Sequence, residues 1–353
     1  MPQPSFFDLD DRLTSLKDEG DPLVFLNESV DFERFRPRLQ RLLKLSYHRK
    51  KGGRPPFDPV LMFKILVLQS LYTLSDDQTE YQIRDRLSFM RFLNLTLSDR
   101  VPDAKTIWLY RERLSSGLNS LFEEFNDHLK EQGYLAMQGQ IVDASVVKAP
   151  RQRLTQEEKA KIKEGKTAEE IWDNPHKARQ KDTHARWRVK QSPPKKKGQV
   201  GFAIPEHGYK THVSIDCKYG FIRGFAVSDA AHYEAHLLPE ILTKDVTCSS
   251  VWGDTAYRTE KNQSYLEESG YRSCLHYRRP RGKKMPDNLK QGNRTRSTIR
   301  ARVEHVFAQQ KERMGLLIRT IGLARAKAKL TLANLAYNMK RLVFQEQKRL
   351  AIG

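Results

Sequence analysis

Apolar residues recur with helical spacing through the first third of the chain. From Asp58, positions Met62, Ile65, Leu66, Leu68, Gln69 and Tyr72 keep that spacing up to Leu74, which predicts one helix. Ser75-Asp-Asp-Gln78 has the form of a capping box and opens a second helix, with Ile83 and Leu87 on its inner face. Phe89 to Leu95 is a short apolar stretch. Pro102 to Thr106 starts a further helix that turns Ile107, Tyr110, Leu114 and Leu118 inward. Successive short helices with a Pro-marked turn resemble a helix-turn-helix bundle; a helical dimerisation domain fits the same pattern. Residues 1–33 have little periodicity and read as an acidic arm. Residues 34–54 read as a basic helix and loop ending Lys50-Lys-Gly-Gly-Arg-Pro-Pro56.

The pattern changes near residue 139. Gln140 to Val147 is strand-like. Tyr209 to Cys217 alternates as a strand, and Phe221 to Val227 is its hairpin partner around Lys218-Tyr-Gly220. A helix fits 233–243. Ser249 to Asp254 is another short strand, a helix follows at 258–268, and Tyr271 to His276 is the last strand. Helices are predicted at about 295–314 and 325–349. The order is β, long insert, β, β, α, β, α, β, α. The domains are therefore set at 1–33, 34–135 and 136–350, with a basic insertion at about 148–205.

Charge sharpens this division. The chain of 353 residues carries a net charge of +20, and it is unevenly placed. Residues 148–199 are net +9, 276–319 net +10 and 34–54 net +9, whereas 1–33 are net −7. Three concentrated basic zones suit a long polyanion such as DNA, although basic runs also serve solubility. Trp172, Trp187 and Tyr277 lie within these zones, where they could stack on bases or form local core. No apolar run approaches the ~18 residues of a membrane span. The acidic start, Met-Pro-Gln-Pro-Ser-Phe-Phe-Asp8, has no secretory-leader pattern. Three cysteines (Cys217, Cys248, Cys274) without a C-x-x-C pair exclude a disulfide framework and fit a reducing cytoplasm.

Three acids break the pattern. Asp143 interrupts an apolar strand, Asp254 ends one at a Gly-Asp turn, and Glu304 lies in a helix among basic residues. Each alone reads as a cap or an ion pair. Together they supply what phosphodiester chemistry needs: carboxylates for two Mg²⁺ or Mn²⁺ ions about 3.5–4 Å apart, which deprotonate the attacking oxygen and neutralise the phosphate. On an ideal helix Ser297, Arg300, Glu304 and Lys311 share one stripe, and Val303, Phe307 and Met314 share another that faces the core. Arg300 and Glu304 also fit a simple i,i+4 ion pair. His207 and His212 read as strand or surface residues, the cysteines as small buried hydrophobes, and Trp252 as core beside Asp254.

Long stretches of the chain resemble bacterial insertion-sequence transposases of the DDE class, in the family-five branch. Gly52 to Lys64 and Tyr81 to Leu93 are similar to the family's N-terminal helical domain. Ile141 to Ser145, His184 to Trp187, Gly208 to His212, Gly253 to Tyr257 and Arg302 to Phe307 are similar to its catalytic half, as are Gly322 to Lys329 and Asn334 to Asn338. The resemblance implies an RNase H-like α/β domain, a mixed sheet with flanking helices, preceded by an all-α helix-turn-helix-like domain. It implies Asp143, Asp254 and Glu304 as the catalytic, metal-binding triad, with two Mg²⁺ or Mn²⁺ as cofactors. The family signature Y-x2-R-x3-E-x6-K maps onto Arg300, Glu304 and Lys311; Ser297 stands where that pattern has tyrosine. An acid that the family carries after a histidine has its nearest counterpart in Ala231-His-Tyr-Glu234.

The expected activity is metal-dependent nicking of double-stranded DNA at an element's ends, followed by transfer of the freed 3′-OH into target DNA. Arg300, Lys311, Lys148, Lys210 and Arg302 are expected at phosphates, and the zones 177–197 and 278–302 along the duplex. The N-terminal helices are expected to read terminal inverted repeats. A homodimer or higher assembly on DNA, in the cytoplasm at the nucleoid, completes the expectation. A non-catalytic DNA-binding descendant and a nuclease that cuts without joining are the alternatives.

Overall fold

The structure, a computed structural model, describes residues 7–44, 55–192 and 201–351. The basic run at 45–54 and the Pro-Pro-Lys-Lys-Lys-Gly segment within 193–200 lie outside the described residues. The chain forms two compact units: Met1–His128 with Thr331–Gly353, and Leu129–Leu330. This division differs from the expected boundaries, because the last helix returns to the first unit.

The first unit is helical: α1 (Asp8–Asp18), α2 (Pro22–Ser29), α3 (Arg36–Leu43), α4 (Pro59–Tyr72), α5 (Asp76–Asp85), α6 (Leu87–Leu93), α7 (Ala104–Leu114) and α8 (Leu118–Glu131, which runs on into the second unit). Asp58 caps α4 through the amides of Val60 and Leu61, with Pro59 at the first turn. The helix is buried nearly all round, including Lys64, Gln69 and Ser70, so it is the centre of this unit rather than an amphipathic cover. The capping box Ser75/Gln78 forms at the start of α5 as the sequence predicts. Arg111 of α7 clasps Asp76 with two bonds, 2.6 and 2.8 Å, and also meets Gln69 of α4 at 2.9 Å, pinning three helices together.

Where an aperiodic acidic arm was expected, α1 and α2 pack against α6. Leu23 and Leu26 are buried. Arg91 of α6 bonds Asp21 and the Leu13 carbonyl, and Asn27 bonds the Phe92 carbonyl at 3.1 Å. Elements of eight to eleven residues give too short a period to read. The helix expected to run to Leu118 instead ends at Leu114, and α8 begins after Gly117. A Cβ there would lie 2.2 Å from a Leu42 methyl, so any larger residue would have to push that side chain aside.

The second unit is built on a six-stranded sheet. After β1 (Gln140–Lys148) come three short helices, α9 (Gln156–Lys163), α10 (Ala168–Ile171) and α11 (Pro175–Arg179). Then follow β2 (Arg186–Ser192), β3 (Phe202–Asp216), β4 (Ile222–Asp229), α12 (Leu238–Ile241), β5 (Ser250–Gly253), α13 (Glu260–Glu268) and β6 (Arg272–Leu275). The C-terminal elements are α14 (Asp287–Arg300), α15 (Glu304–Ala308) and α16 (Leu323–Leu350). In the sheet β4, β3, β1, β5 and β6 lie in that order; β4–β3 and β3–β1 are antiparallel, β1–β5 and β5–β6 parallel. This is the RNase H-like arrangement. β2 pairs with the first half of β3, Trp187 opposite His207, and extends the sheet as a two-stranded ribbon.

The insertion between β1 and β2 has its own small core of Ile162, Trp172 and Ala178. Its helices and β2 were not legible as elements. Trp172 is local core: its indole N–H donates to Glu158 at 2.6 Å. The helix expected over 233–243 is a 3-10 turn, Glu234–Leu237, and the single turn α12; Pro239 keeps the segment from running as one helix. The helix expected over 295–314 is broken twice, by a 3-10 turn at Ala301–Val303 and a π-helical turn at Gln309–Arg313. The two breaks interrupt the helix, yet Arg300 and Lys311 both reach β1, at Asp143 and Ser145, and Arg300 meets Glu304.

Candidate active site

Asp143 lies mid-way along β1, opposite Val213 of β3. On its other side β1 pairs with β5 at Gln140–Val251 and Ile141–Trp252, so Asp254, directly after β5, comes level with Asp143. β5 stops at Gly253 while β1 runs on to Lys148, so the acid after β5 stands beside the acid in the middle of β1. Asp254 is anchored by its own turn, Oδ1 accepting from the Ala256 amide at 2.8 Å. The space beside Gly253 is tight: a Cβ there would lie 2.8 Å from Leu275 and 2.9 Å from Val142, whose methyl groups would have to shift.

Asp143 is largely buried, with 13% of its side chain exposed. Oδ1 accepts from the Ala144 amide at 2.8 Å, and Oδ2 from Arg300 Nη1 at 3.0 Å. Burial pushes its pKa up to about 6; the Ala144 amide and Arg300 pull the other way, while the charges of Asp254 and Glu234 add to the rise. Arg300 also reaches Glu304, Nη2 to Oε1 at 3.6 Å, one turn further along. Its guanidinium therefore bridges the first and third acids of the expected triad. Glu304 is 64% exposed and open to exchange partners. The buried Nε of Arg300 has no hydrogen-bond partner.

Lys311, on the π-helical turn, donates to Ser145 Oγ at 2.6 Å, two residues along β1 from Asp143. Burial draws its pKa down; Glu206 opposes this, and the like charges of Lys190, Lys148 and Arg188 add to it. Lys148 is exposed at the end of β1, its carbonyl accepting from the Ile318 amide at 3.0 Å. Ser297, at the position of the family tyrosine, lies 3.4 Å from His276 Nε2. Tyr277 is covered by two guanidinium groups, Arg258 at 3.9 Å and Arg296 at 4.8 Å from its ring centre.

Two expected phosphate contacts are placed otherwise. Lys210 is 3% exposed; its ammonium donates to the His232 carbonyl at 2.7 Å and pairs with Glu234 at 3.2 Å. Both faces of β3 are covered from His207 to Asp216, so Lys210 is buried along with its neighbours Tyr209 and Thr211. Arg302 is exposed; its Nη1 donates to the Cys217 carbonyl at 2.5 Å, which fixes the guanidinium while leaving its other donors available. His207 and His212 are buried strand residues, the latter 2.9 Å from Ser228 Oγ. Cys217 and Cys274 are buried and Cys248 is half-buried.

The sequence reading missed Glu234 as a site residue. It is 8% exposed, and its Oε1 sits 3.2 Å from both Lys210 and Arg188. A buried acid held by two cations beside Asp143 makes a fourth carboxylate near the cluster. Its one sequence signal is the Ala231-His-Tyr-Glu234 run.

Among the described residues, no group of three or more His, Cys, Asp or Glu side chains is already gathered as a metal cage. Arg300 lies between Asp143 and Glu304 instead. Carboxylate oxygens are the donors that hard divalent cations take, and the two acids already share one positive counter-charge, so the residues fit such an ion.

Residues 135–339 match the family described as Transposase DDE domain, and residues 11–113 match the one described as Transposase domain (DUF772). The chain belongs to the DDE transposases. No solved structure matches it. Among the described residues, no helix is long and apolar enough to cross a membrane.

Proposed function

We propose that this transposase cuts double-stranded DNA at the ends of an insertion sequence and joins the freed 3′-OH to target DNA. The observation that carries this reading is the bridge from Asp143 through Arg300 to Glu304, at 3.0 and 3.6 Å, with Asp254 directly after the neighbouring strand β5. Asp143, Asp254 and Glu304 would hold one or two Mg²⁺ or Mn²⁺. When bound, such ions supply an activated water and neutralise charge on the phosphate.

The chain's own residues do the rest. Arg300 neutralises Asp143 and Glu304 in the ion-free protein and turns to a backbone phosphate once those carboxylates are taken. Lys311, oriented by Ser145, and exposed Lys148 sit beside the acids and contact phosphates flanking the scissile bond. Lys190 and Arg188 add to that positive field, which accounts for the like charges gathered around Lys311. The basic zones over 177–197 and 278–302 follow the duplex. The N-terminal helices recognise the terminal inverted repeats, and two copies or more bring the ends together. The site of action is the cytoplasm, at the nucleoid.

A strand-transfer assay tests this. Duplex oligonucleotides copying the gene's native flanks, pre-cut to expose a 3′-OH, are incubated with Mn²⁺ and supercoiled plasmid. Covalent joining to the plasmid supports the reading. Cutting of the intact flanks without any joining would replace it with a nuclease.

A further inference from the structure

Arg296 lies on α14, one turn before Arg300, and its positive charge is unanswered. Arg300 pairs with Asp143 and Glu304. Arg296 meets no carboxylate among the described residues, and its buried Nε has no hydrogen-bond partner. A buried donor without an acceptor is uncommon and marks a missing ion, water or ligand. A guanidinium only donates, so the missing group is an acceptor, and an anion suits it best.

The side chain is nonetheless held in place. It folds back along α14, Nη1 coming to 2.7 Å from the point where a Cβ on Gly292 would sit, so the glycine leaves it room. Its guanidinium lies over Tyr277, 4.8 Å from the ring centre. Arg258 lies over the same ring at 3.9 Å, and its Nη1 donates to the Leu275 carbonyl at 3.0 Å. Asn293 clasps the Tyr277 backbone, accepting from its amide at 2.9 Å and donating to its carbonyl at 3.0 Å. Asn293, Arg296, Ser297 and Arg300 share one face of α14. That face meets Tyr277, His276 and Asp143 in turn. The His276 amide donates to the Gly253 carbonyl at 3.1 Å, so this segment runs directly beside the residue that precedes Asp254. Both arginines are half-buried, and a ligand can reach them.

We propose that Arg296, with Arg258 beside it on Tyr277, binds one backbone phosphate of the DNA strand that passes Asp254. This rests on the reading of Asp143, Asp254 and Glu304 as a site that acts on DNA. Tyr277 already carries two guanidiniums, so it serves as their platform rather than stacking on a base. Arginines fixed in this way present their donors to a phosphate without further ordering. The subsite holds the strand on the Asp254 side of the cluster, whereas Lys311 and Lys148 lie along β1.

The test measures binding of duplex DNA copying the gene's native flanks, without divalent metal, for the full chain as wild type, Arg296→Ala and Arg294→Ala. Arg294 is exposed on the same helix and provides an equal loss of charge. Neither arginine side chain makes an ion pair among the described residues, so neither substitution removes a salt bridge from the fold. In a series of duplexes a neutral methylphosphonate replaces one phosphate at a time. Arg296→Ala is expected to bind the unmodified duplex about 10–100-fold more weakly. It is also expected to become insensitive to the methylphosphonate at one position that weakens the wild type, while Arg294→Ala stays sensitive there. Wild-type sensitivity at every position in Arg296→Ala overturns the inference and leaves DNA binding standing. Loss of the same sensitivity in both variants also overturns it, because net charge rather than a built subsite would then be acting. A wild type that binds no DNA overturns the reading beneath it as well.

Discussion

In the proposed mechanism Arg300 has two opposed roles, and removing it should separate them. Its contacts to Asp143 and Glu304 would compete with a cation for the same carboxylates. The Glu304 contact, at 3.6 Å with that side chain 64% exposed, is screened and contributes little. The Asp143 bond, at 3.0 Å to a carboxylate 13% exposed, is the one that counts. A hydrogen bond to a charged group of this kind is worth about 1.5–3 kcal/mol. Arg300→Ala should therefore tighten Mn²⁺ binding by about 10–100-fold, at 1.4 kcal/mol for each factor of ten. The same substitution removes a proposed phosphate contact in the transition state, so cutting at saturating Mn²⁺ should slow by about 100-fold or more. Calorimetric titration of Mn²⁺ gives the first quantity, and single-turnover cleavage of flank DNA the second. Metal binding and cleavage that weaken together would refute the reasoning, because Arg300 would then support the carboxylates rather than compete for them.

Other consequences follow from the same geometry. Lys311→Ala should reduce the steepness with which DNA affinity falls with salt by about one phosphate contact, whereas Lys210→Met should leave that slope unchanged and lower stability by about 1–3 kcal/mol, because the His232 carbonyl loses its donor while Glu234 keeps Arg188; filter binding across salt and thermal melting distinguish them. Gly253→Ala should destabilise the protein by about 1–3 kcal/mol as Leu275 and Val142 move aside, read by thermal melting. Lys64 is buried against Phe32 and Phe92, and burial lowers its pKa to about 8. Its folded pKa lies below its unfolded one, so the unfolded chain binds more protons between about pH 8 and 10.5 and stability rises with pH over that window. Lys64→Met should remove that rise and stabilise the protein at pH 7 by about 1–3 kcal/mol, less whatever the two aromatic contacts contribute; melting temperature against pH decides it.

The elements that could be read from sequence are those whose pattern is local. The Ser75 capping box, the hairpin around Lys218–Gly220 and the short strands carrying Asp143 and Asp254 each declare themselves within about ten residues. What escaped depends on partners distant in the chain. Nothing near Lys210 shows that its ammonium turns inward to Glu234, or that Arg188 from the insertion joins the same acid. Tyr277 stands out in sequence only as an aromatic in a basic zone; the guanidiniums on its ring come from Arg258 and Arg296, which only the packed fold brings together. What no local periodicity announces is the 3-10 turn at Ala301–Val303 and the π turn at Gln309–Arg313 that interrupt the predicted helix. Arg300 and Lys311 nonetheless reach the same strand, and Arg300 still meets Glu304 one turn on.

The central claim is that Asp143, Asp254 and Glu304 act as one metal-dependent site on DNA. The most direct measurement maps strand breaks in DNA carrying the gene's native flanks, incubated with Mg²⁺ or Mn²⁺ and with wild type, Asp143→Asn, Asp254→Asn or Glu304→Gln. The account predicts metal-dependent nicks with 3′-OH ends at discrete positions for the wild type, lost in all three variants while each still binds the DNA. Cleavage that persists in any one of them at the wild-type rate would contradict it.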